Sequence, residues 1–424
     1  MTTGRLDIRR ATRHDVPAMS FLPLLLDRAE DIRAALPPKP RPFSADVLIA
    51  AARRATGLAD FGDADFRDGL NRFLAACADE ARLGMVGRAA TRWDVLRFLS
   101  NLLQMARAEQ SDPNIARQEI SQPVFITGLP RSGTSFLHNL LMEDPANRVP
   151  RIWQLIAPYA ATTEERRIAQ VNSQLRTFER IAPGFRSLHP ITAVSAQECS
   201  EITAHVFASL RFDTTYRIPS YRHWLDAHGH LDAYRFHRRF LQHLQHQDRD
   251  NGRWFLKCPD HVFALDAIAA VYPDARIVFV HRDPLKVLAS VAKLTEILRR
   301  PFSRHIDRAE IGAQESARWL MGTERMIAAT RTTQFRQPIF HVHYRDLVAD
   351  PSATITALYK HFDIELSSHT EDRIRRRVAA DRTGGYGDNR YRFEDFSLDP
   401  RHQRALFTTY TRHFDVAREV ATGA

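Results

Sequence analysis

Cysteine is scarce in this sequence, and its scarcity excludes two classes of protein. The chain has 424 residues and three cysteines, Cys77, Cys199 and Cys258. They are far apart, odd in number and never arranged as a CxxC pair. This pattern argues against a disulfide-stabilised secreted domain and against a zinc site. We therefore expect a protein of a reducing compartment, without a structural metal ion.

Long apolar segments are also missing. The patch FLPLLL near the amino terminus is short and interrupted by Pro23. No window approaches the roughly 18 apolar residues that a membrane-spanning helix requires. The same terminus lacks a basic segment followed by a long apolar one, which a secretory signal would have. We expect a soluble cytoplasmic protein with no membrane span.

Blocks of like charge are absent, although the chain is basic. The net charge is +10, and the positive residues are interleaved with Asp and Glu. This distribution argues against a polyanion-binding arm, so no nucleic-acid partner is expected. The excess comes almost entirely from arginine. The only lysines are Lys39, Lys257, Lys286, Lys293 and Lys360.

The first part of the chain has helical periodicity, from about Ser44 to Gln110. Within it, Thr91 and Asp94 are spaced like a capping pair, which predicts a helix start before the apolar run that follows. A turn-rich break at 111–114 ends this pattern. The expected division is a helical N-terminal region at 1–118 and an α/β domain at 119–424.

The rest of the chain alternates strands with helices. The apolar run 124–128 precedes a loop and a helix, and 276–280 precedes Asp283 and Pro284, which suit a helix start. A third apolar run lies in IFHVHYRDL. This order predicts an α/β fold with a parallel β-sheet and helices on both faces. A mainly helical insertion at about 151–253 would cover the carboxyl ends of the strands, where such sheets bind ligands.

The segment GLPRSGTS has the spacing of a phosphate-binding loop. Two glycines let backbone N–H groups converge on a phosphate, and the next helix directs its positive dipole end to the same point. A loop that binds ATP carries a lysine before its final hydroxyl residue. Thr134 stands at that position, and Arg131 supplies the formal charge of the loop. The loop therefore suits a phosphate compound that needs one cation and several hydrogen bonds, and no metal ion.

Together with its flanking strand and helix, PRSGTS resembles the 5′-phosphosulfate loop of sulfotransferases that use 3′-phosphoadenosine 5′-phosphosulfate (PAPS), in their bacterial branch. The resemblance covers about 120–400. It implies a P-loop-like sulfotransferase fold, PAPS as co-substrate and no metal. It further implies that Phe136 stacks on the adenine and that a set of loop residues holds the 5′-phosphate. The 5′-phosphate residues are Arg131, Ser132, Gly133, Thr134 and Ser135.

A second anion site is expected at the end of the second predicted strand. Arg282 ends this strand and Ser290 follows in the next helix, which is the family's spacing for the 3′-phosphate site. An arginine fork and a hydroxyl suit a terminal phosphate. The alternative is that Arg282 pairs with a neighbouring carboxylate. By the same resemblance Tyr344 lies near the adenine, and Arg382, in a glycine-dense C-terminal loop, is a third phosphate ligand.

The resemblance also implies catalytic residues. Sulfuryl transfer is an in-line displacement, so the protein positions groups, removes a proton and stabilises charge. Lys257 and Arg131 are expected to meet the charge on the leaving phosphate. His261 matches the branch's histidine, and an imidazole accepts a proton near neutral pH. Glu198 and Glu201 are alternative bases, and the assignment stays open.

The predicted function is transfer of a sulfuryl group from PAPS to a hydroxyl or amine of an unidentified small-molecule acceptor, which releases adenosine 3′,5′-bisphosphate. One alternative is a magnesium- and ATP-dependent phosphoryl transferase of the P-loop type, which the missing loop lysine disfavours. The other is a non-enzymatic polyanion binder. Residues 1–118 either cap the acceptor site or form a homo-oligomer contact. Candidate walls of the acceptor pocket are Phe185, His189, Phe212, Tyr216, Tyr221 and Trp224.

Overall fold

Helices occupy the first part of the chain that the structure describes. The structure is a computed structural model, and it describes residues 43–159, 162–188, 190–248, 252–332, 334–380 and 392–419. Helices α1 (Ala45–Thr56), α2 (Arg67–Asp79) and α3 (Met85–Ser111) come first. Helix α1 ends at Gly57, whose left-handed φ of 67° stops the helix without steric cost.

The start of α3 corrects one expectation. The predicted cap at Thr91 is wrong, because α3 begins at Met85 with Gly84 as its N-cap. Thr91 lies inside the helix, and its hydroxyl donates to the carbonyl of Gly87 at 2.8 Å. A threonine that bonds back to the preceding turn satisfies its hydroxyl without ending the helix.

The central strands and helices follow in alternation up to residue 248. They are β1 (Val124–Gly128), α4 (Thr134–Leu141), β2 (Asn147–Arg148), α5 (Ile152–Ile156), α6 (Glu164–Ile181), α7 (Phe185–Leu188), α8 (Ser200–Thr203), α9 (Arg211–Thr215), α10 (Pro219–His228) and α11 (Leu231–Asp248).

The remaining strands and helices complete the sheet and its covering layers. They are β3 (Arg253–Lys257), α12 (Leu265–Val271), β4 (Arg276–His281), α13 (Pro284–Arg299), α14 (Arg308–Ala329), β5 (Phe340–His343), α15 (Tyr344–Ala349), α16 (Pro351–His361), α17 (Ser368–Ala380), α18 (Pro400–Leu406) and α19 (Thr408–His413).

The five strands form one parallel sheet in the order β2-β3-β1-β4-β5. Strand β1 is central, and Gly128 at its end is level with Val280 of β4. Parallel strands place their carboxyl ends at one edge. The loops that follow β1 and β4 therefore meet there, and this edge holds the candidate site.

Both faces of the sheet are buried, because the strands are apolar at successive positions. Val124 and Ile126 of β1 pack on one face, with residues of α4, α16 and α17. Phe125 of the same strand packs on the opposite face, in a core that includes residues of α11, α12 and α14. The predicted parallel sheet with helices on both faces is confirmed.

The N-terminal helices and the 151–253 segment share one apolar core. Phe73 of α2 lies 4.3 Å from Phe212 of α9 between ring centroids, and Phe98 of α3 contacts Phe207. Packing of this kind fixes α3 beside the carboxyl edge of the sheet. The division of the chain at residue 118 stays a prediction. Across the described ranges, every helix is too short or too polar to cross a membrane.

Candidate active site

A cleft of about 1860 Å³ opens at the carboxyl edge of the sheet. The loop after β1, the start of α13 and Tyr344 at the end of β5 border one part of it. Helices α3, α6 and α13 form the other part. The N-terminal helical region therefore contributes directly to the cleft, through α3.

The loop after β1 depends on two glycines. Gly128 has φ 145°, and a Cβ there would lie 2.2 Å from the carbonyl oxygen of Val280. Gly133 has φ 96°, and a Cβ there would lie 2.9 Å from the ring of Tyr344. Both the conformation and the space exclude a side chain. The loop can therefore pass close to β4 and to Tyr344 before α4 begins.

The polar residues of this loop have different surroundings. Arg131, Gly133, Thr134, Ser135 and Phe136 line the cleft. Ser132 is fully buried, and its hydroxyl donates to the carbonyl of Leu129 at 2.6 Å. We infer that the Ser132 side chain holds the shape of the loop, which leaves its backbone as the part able to meet a ligand.

The two predicted anion sites adjoin each other. The Nε of Arg131 donates to the hydroxyl of Ser290 at 3.1 Å. Arg282 donates from Nη1 to the backbone carbonyl of Arg131 at 2.8 Å, and its guanidinium lies 3.7 Å from the centroid of the Tyr344 ring. Arg282, Ser290 and Tyr344 thus surround the loop. Arg382 lies outside the described residues.

Arg282 also has a carboxylate partner from the far end of the chain. Its Nε and Nη2 donate to the two carboxylate oxygens of Glu419, at 2.9 and 3.0 Å. The sequence carried no signal for Glu419, which belongs to no motif. The carboxylate pairing weighed as an alternative for Arg282 therefore exists, with a residue other than its sequence neighbours.

Lys257 and Glu198 form an ion pair next to the loop. The Nζ of Lys257 lies 2.7 Å from the carboxylate of Glu198 and donates to the hydroxyl of Ser135 at 3.1 Å. Lys257 is buried, whereas 31% of the Glu198 side chain is exposed and this residue lines the cleft. The pair therefore places a carboxylate at the cleft and a cation beneath it.

Glu201 has a different environment, although it also lines the cleft. Its carboxylate pairs with Arg97 at 2.6 Å and with Arg211 at 2.7 Å, and its side chain is only 6% exposed. Asp94 pairs with the same two arginines. Each of the two carboxylate oxygens of Glu201 is therefore already bound by a guanidinium group. The geometry thus favours Glu198 over Glu201 as a base.

His261 is not brought to the cleft. Its side chain is buried, a hydrogen bond joins its Nδ1 to the hydroxyl of Tyr234, and its ring packs edge-on against Phe125 under the sheet. Burial holds the pKa of His261 well below its usual range. Matching by sequence position could not show on which side of the sheet this imidazole lies.

Asp260, next to His261 in sequence, lines the cleft and was missed by the sequence analysis. Burial raises the pKa of its carboxyl to about 7, against the opposing effect of Arg318. A carboxyl that titrates near neutral pH beside a cleft is a sign of a functional site. Its position directly after Cys258–Pro259, at the end of β3, was the available signal.

The apolar walls of the cleft come mainly from α6 and α13. Of the predicted wall residues, Phe185 and Tyr216 line the cleft. Phe212 and Tyr221 are core residues, and the indole of Trp224 donates to Asp68. His189 lies outside the described residues. Further wall residues are Ile156, Leu175, Phe178, Ile181, Leu294, Leu298 and Phe302.

The parallel sheet and the glycine loop at its carboxyl edge define the P-loop-like class of α/β proteins, which bind phosphate groups at this edge. The model of the Sulfotransferase family matches residues 123–368. The chain belongs to this family, as its sequence predicted.

Two solved structures are similar to the chain over most of its length. Sulfotransferase STF1 from Mycobacterium tuberculosis H37Rv is 30% identical, with a TM-score of 0.76 over 86% of this chain and 98% of the other. Sulfotransferase STF9 from Mycobacterium avium is 25% identical, with a TM-score of 0.80 over 89% and 98%. They confirm the P-loop-like sulfotransferase fold.

Curated relatives match a smaller part. Omega-hydroxy-beta-dihydromenaquinone-9 sulfotransferase Stf3 from Mycobacterium bovis and from Mycobacterium tuberculosis is 25% identical over 254 residues, which is 57% of this chain. The chain spans 63% of the length of these curated relatives.

Proposed function

We propose that the chain transfers a sulfuryl group from PAPS to the hydroxyl of an apolar acceptor and releases adenosine 3′,5′-bisphosphate, without a metal ion. One observation carries the proposal: the arginine of the glycine loop and the arginine that ends β4 meet at one edge of the sheet. The contacts are Arg131 Nε to Ser290 at 3.1 Å and Arg282 Nη1 to the Arg131 carbonyl at 2.8 Å. Two adjoining cationic sites suit a nucleotide with a phosphate at both ends.

The residues present fit this nucleotide. The loop 131–135 and the start of α4 would hold the 5′-phosphosulfate, while Arg282 and Ser290 would hold the 3′-phosphate. Phe136 and Tyr344 offer aromatic faces at the same edge. When bound, PAPS supplies an activated sulfuryl group on a phosphate leaving group. Thr134 stands where an ATP-binding loop has a lysine, which fits a reaction that needs no metal-bound triphosphate.

Lys257 and Arg131 would stabilise the negative charge that develops on the leaving phosphate. Lys257 is buried, and its Nζ already bonds to Ser135 at the first turn of α4. A buried cation next to the phosphate site acts in a low-dielectric environment, where its effect on developing charge is large. The tether to Ser135 and Glu198 fixes its position before the reaction.

Glu198 would accept the proton of the acceptor hydroxyl. It lines the cleft, is partly exposed there and has its carboxylate 2.7 Å from Lys257. Neither rival base has this combination: Glu201 is held between two arginines, and His261 is buried away from the cleft. Asp260 lines the same cleft and its raised pKa suits it to hold or pass on a proton.

The acceptor is proposed to be a large apolar alcohol. The cleft, at about 1860 Å³, has to hold the nucleotide as well as the acceptor, and it exceeds the roughly 300–1,000 Å³ of a typical small-molecule pocket. Leu175 and Phe178 of α6 face a wall that includes Leu294 and Leu298 of α13. Such walls favour an apolar molecule that reaches Glu198 with one hydroxyl. The acceptor named for the Stf3 relatives, a hydroxylated menaquinone derivative, is of this kind.

A transfer assay tests the proposal. The protein is incubated with sulfur-labelled PAPS, EDTA and one of three acceptors: detergent-solubilised 1-hexadecanol, 4-nitrophenol or glucose. We expect labelled hexadecyl sulfate, with less label in the phenol and none in the sugar. Leu298→Gln in the apolar wall should reduce hexadecanol transfer about tenfold, because it adds a polar group to an apolar surface. The control Leu406→Gln changes an exposed leucine of α18 and should not.

Transfer to glucose but not to hexadecanol would contradict the apolar acceptor and leave the donor assignment intact. Absence of transfer to all three, together with no binding of adenosine 3′,5′-bisphosphate, would contradict the donor assignment as well.

We also propose a cytoplasmic location, since the three cysteines are buried free thiols.

A further inference from the structure

The carboxylate of Glu419 binds the arginine that the proposed function assigns to the 3′-phosphate. Two parallel hydrogen bonds, of 2.9 and 3.0 Å, join it to Nε and Nη2 of Arg282. Bidentate pairing of this kind is the same fork geometry by which arginine binds a phosphate. The two side chains are 20% and 17% exposed, so water screens the pair only in part.

The segment that carries Glu419 is held at this edge by several contacts. The ring of Phe414 stacks on His281 with 4.4 Å between centroids, and Val416 is buried in the apolar core. The backbone N–H of Glu419 donates to Asp283 at 3.0 Å. Asp283 also caps α13 by accepting from Leu285. Glu419 is therefore placed on Arg282 by its backbone as well as by its side chain.

The packing of Phe414 and Val416 does not depend on the contact between Glu419 and Arg282. Val416 is buried, but Ala417 and Arg418 between it and Glu419 are exposed. Rotation of the backbone in this short exposed stretch would lift Glu419 off Arg282 while Phe414 and Val416 stay packed. Among the described residues, the contacts of Glu419 that would break are the hydrogen bond to Asp283 and the pair with Arg282.

A carboxylate and a phosphate cannot both take the same two N–H donors, and two anions at that distance repel each other. From this the geometry points to one conclusion: Glu419 is an internal competitor for the 3′-phosphate site, and the nucleotide binds with Arg282 only when the 417–419 stretch moves away. This inference rests on the proposed function. The measured affinity for nucleotide is then reduced by the fraction of molecules in which Glu419 occupies Arg282.

Binding of adenosine 3′,5′-bisphosphate to the full chain, measured by isothermal titration calorimetry, tests the competition. We expect Glu419→Gln to tighten binding about tenfold, as when the competent fraction rises from roughly one tenth to nearly all. The matched control is Asp415→Asn, which removes an exposed carboxylate of the same segment. Asp415 takes no part in the Glu419–Arg282 pair, so the affinity should not change.

A second ligand separates competition at the 3′ site from a general effect of charge. Adenosine 5′-monophosphate lacks the 3′-phosphate, so its affinity should be the same in the parent chain and in Glu419→Gln. Hydrogen exchange gives an independent readout. The amide of Glu419, bonded to Asp283, should exchange faster when the bisphosphate is bound.

Tighter bisphosphate binding by E419Q alone, with the monophosphate unchanged, supports the inference. Equal or weaker bisphosphate binding by E419Q would overturn it, because Glu419 would then be a partner that positions Arg282 for the phosphate. If neither chain binds the bisphosphate, the proposed function fails and the competition fails with it. Faster exchange of the Glu419 amide in the bisphosphate-bound parent chain shows that the segment moves. A change in net charge alone would not produce it.

Discussion

At the scale of single residues, the proposed transfer reaction depends on Glu198 as its base. Glu198→Gln keeps the size of the side chain and removes its ability to accept a proton, so turnover should fall by about 10²–10⁴-fold. The affinity for adenosine 3′,5′-bisphosphate should not fall, because Glu198 belongs to neither proposed anion site and loss of its charge leaves Lys257 available to the 5′-phosphate. Steady-state kinetics and calorimetry on the same preparation measure both quantities.

Glu310→Gln is the matched control, since Glu310 of α14 pairs with Arg217 and does not line the cleft. It should retain normal turnover. Normal turnover in Glu198→Gln would instead move the role of base to Asp260, which also lines the cleft and whose carboxyl pKa burial raises to about 7.

His261 is expected to act on stability. His261→Ala leaves a cavity beneath the sheet and removes the partner of the Tyr234 hydroxyl. The free energy of unfolding should fall by about 2–4 kcal/mol. The rate per folded molecule should stay within about threefold of the parent, because the imidazole does not reach the cleft and its loss shifts the barrier by less than about 1 kcal/mol. A large loss of rate without a loss of stability would restore His261 as the base.

The meeting of Arg131 and Arg282 at one edge of the sheet could be predicted, because motif and topology determine it together. Arg131 and Arg282 follow apolar strands, and parallel strands end at one edge. Glu419 and the side of His261 could not be predicted. The Glu419 contact joins residues 137 positions apart in the chain, and no local pattern encodes it. His261 follows β3, and its sequence position did not show whether its ring would lie in the cleft or, as observed, against Phe125 under the sheet.

At the scale of elements, the β1 loop should tolerate no side chain at Gly128. Gly128→Ala forces a Cβ to within 2.2 Å of the Val280 carbonyl, at a φ of 145°. Strain and overpacking together should lower the free energy of unfolding by about 3 kcal/mol or more. Gly57 also has a positive φ, of 67°, but a Cβ there would have nothing within 4 Å, so Gly57→Ala should cost only about 1 kcal/mol.

Urea unfolding of both variants measures these costs. Equal losses would show that backbone conformation alone matters and that the close approach to β4 does not. At this scale the sequence predicted β1 and β4 from continuous apolar runs and β5 from a third run, whereas it missed β2 and β3. It misplaced the start of α3, because a threonine bonded to Gly87 within a helix has the same sequence pattern as a cap.

At the scale of the whole molecule, stability should fall in acid. Burial lowers the pKa of several histidines from 6.5 to about 3 or about 4: His138, His205, His230, His237 and His341. Below pH 6.5 the unfolded chain binds protons that these folded imidazoles do not, so the free energy of unfolding decreases as the pH falls. Asp213 and Asp260, whose raised pKa values are about 6 and about 7, oppose this in part.

The expected loss is several kcal/mol between about pH 6.5 and about pH 4.5. Urea unfolding at intervals of pH measures it. A flat profile would show that these histidines are as accessible to protons in the folded state as in the unfolded chain. The sequence could not predict this behaviour, because 19 histidines look alike until packing shows which are buried.

The shared core of the N-terminal helices and the 151–253 segment is likewise a property of tertiary packing. Phe73, Phe98 and Phe212 come from separate parts of the sequence and meet only in the fold. Their packing places α3 in the cleft wall. This placement favours a role of the N-terminal region at the acceptor site over an oligomer contact alone.

If two anion sites hold opposite ends of one nucleotide, paired titrations with the two monophosphates should distinguish them. In EDTA, the parent chain should bind adenosine 3′,5′-bisphosphate more tightly than either monophosphate. Arg131→Ala should weaken adenosine 5′-monophosphate by about tenfold or more and spare adenosine 3′-monophosphate, whereas Arg282→Ala should do the reverse. Both substitutions should weaken the bisphosphate. Identical effects of the two substitutions on both monophosphates, or binding only of ATP with magnesium, would contradict the account.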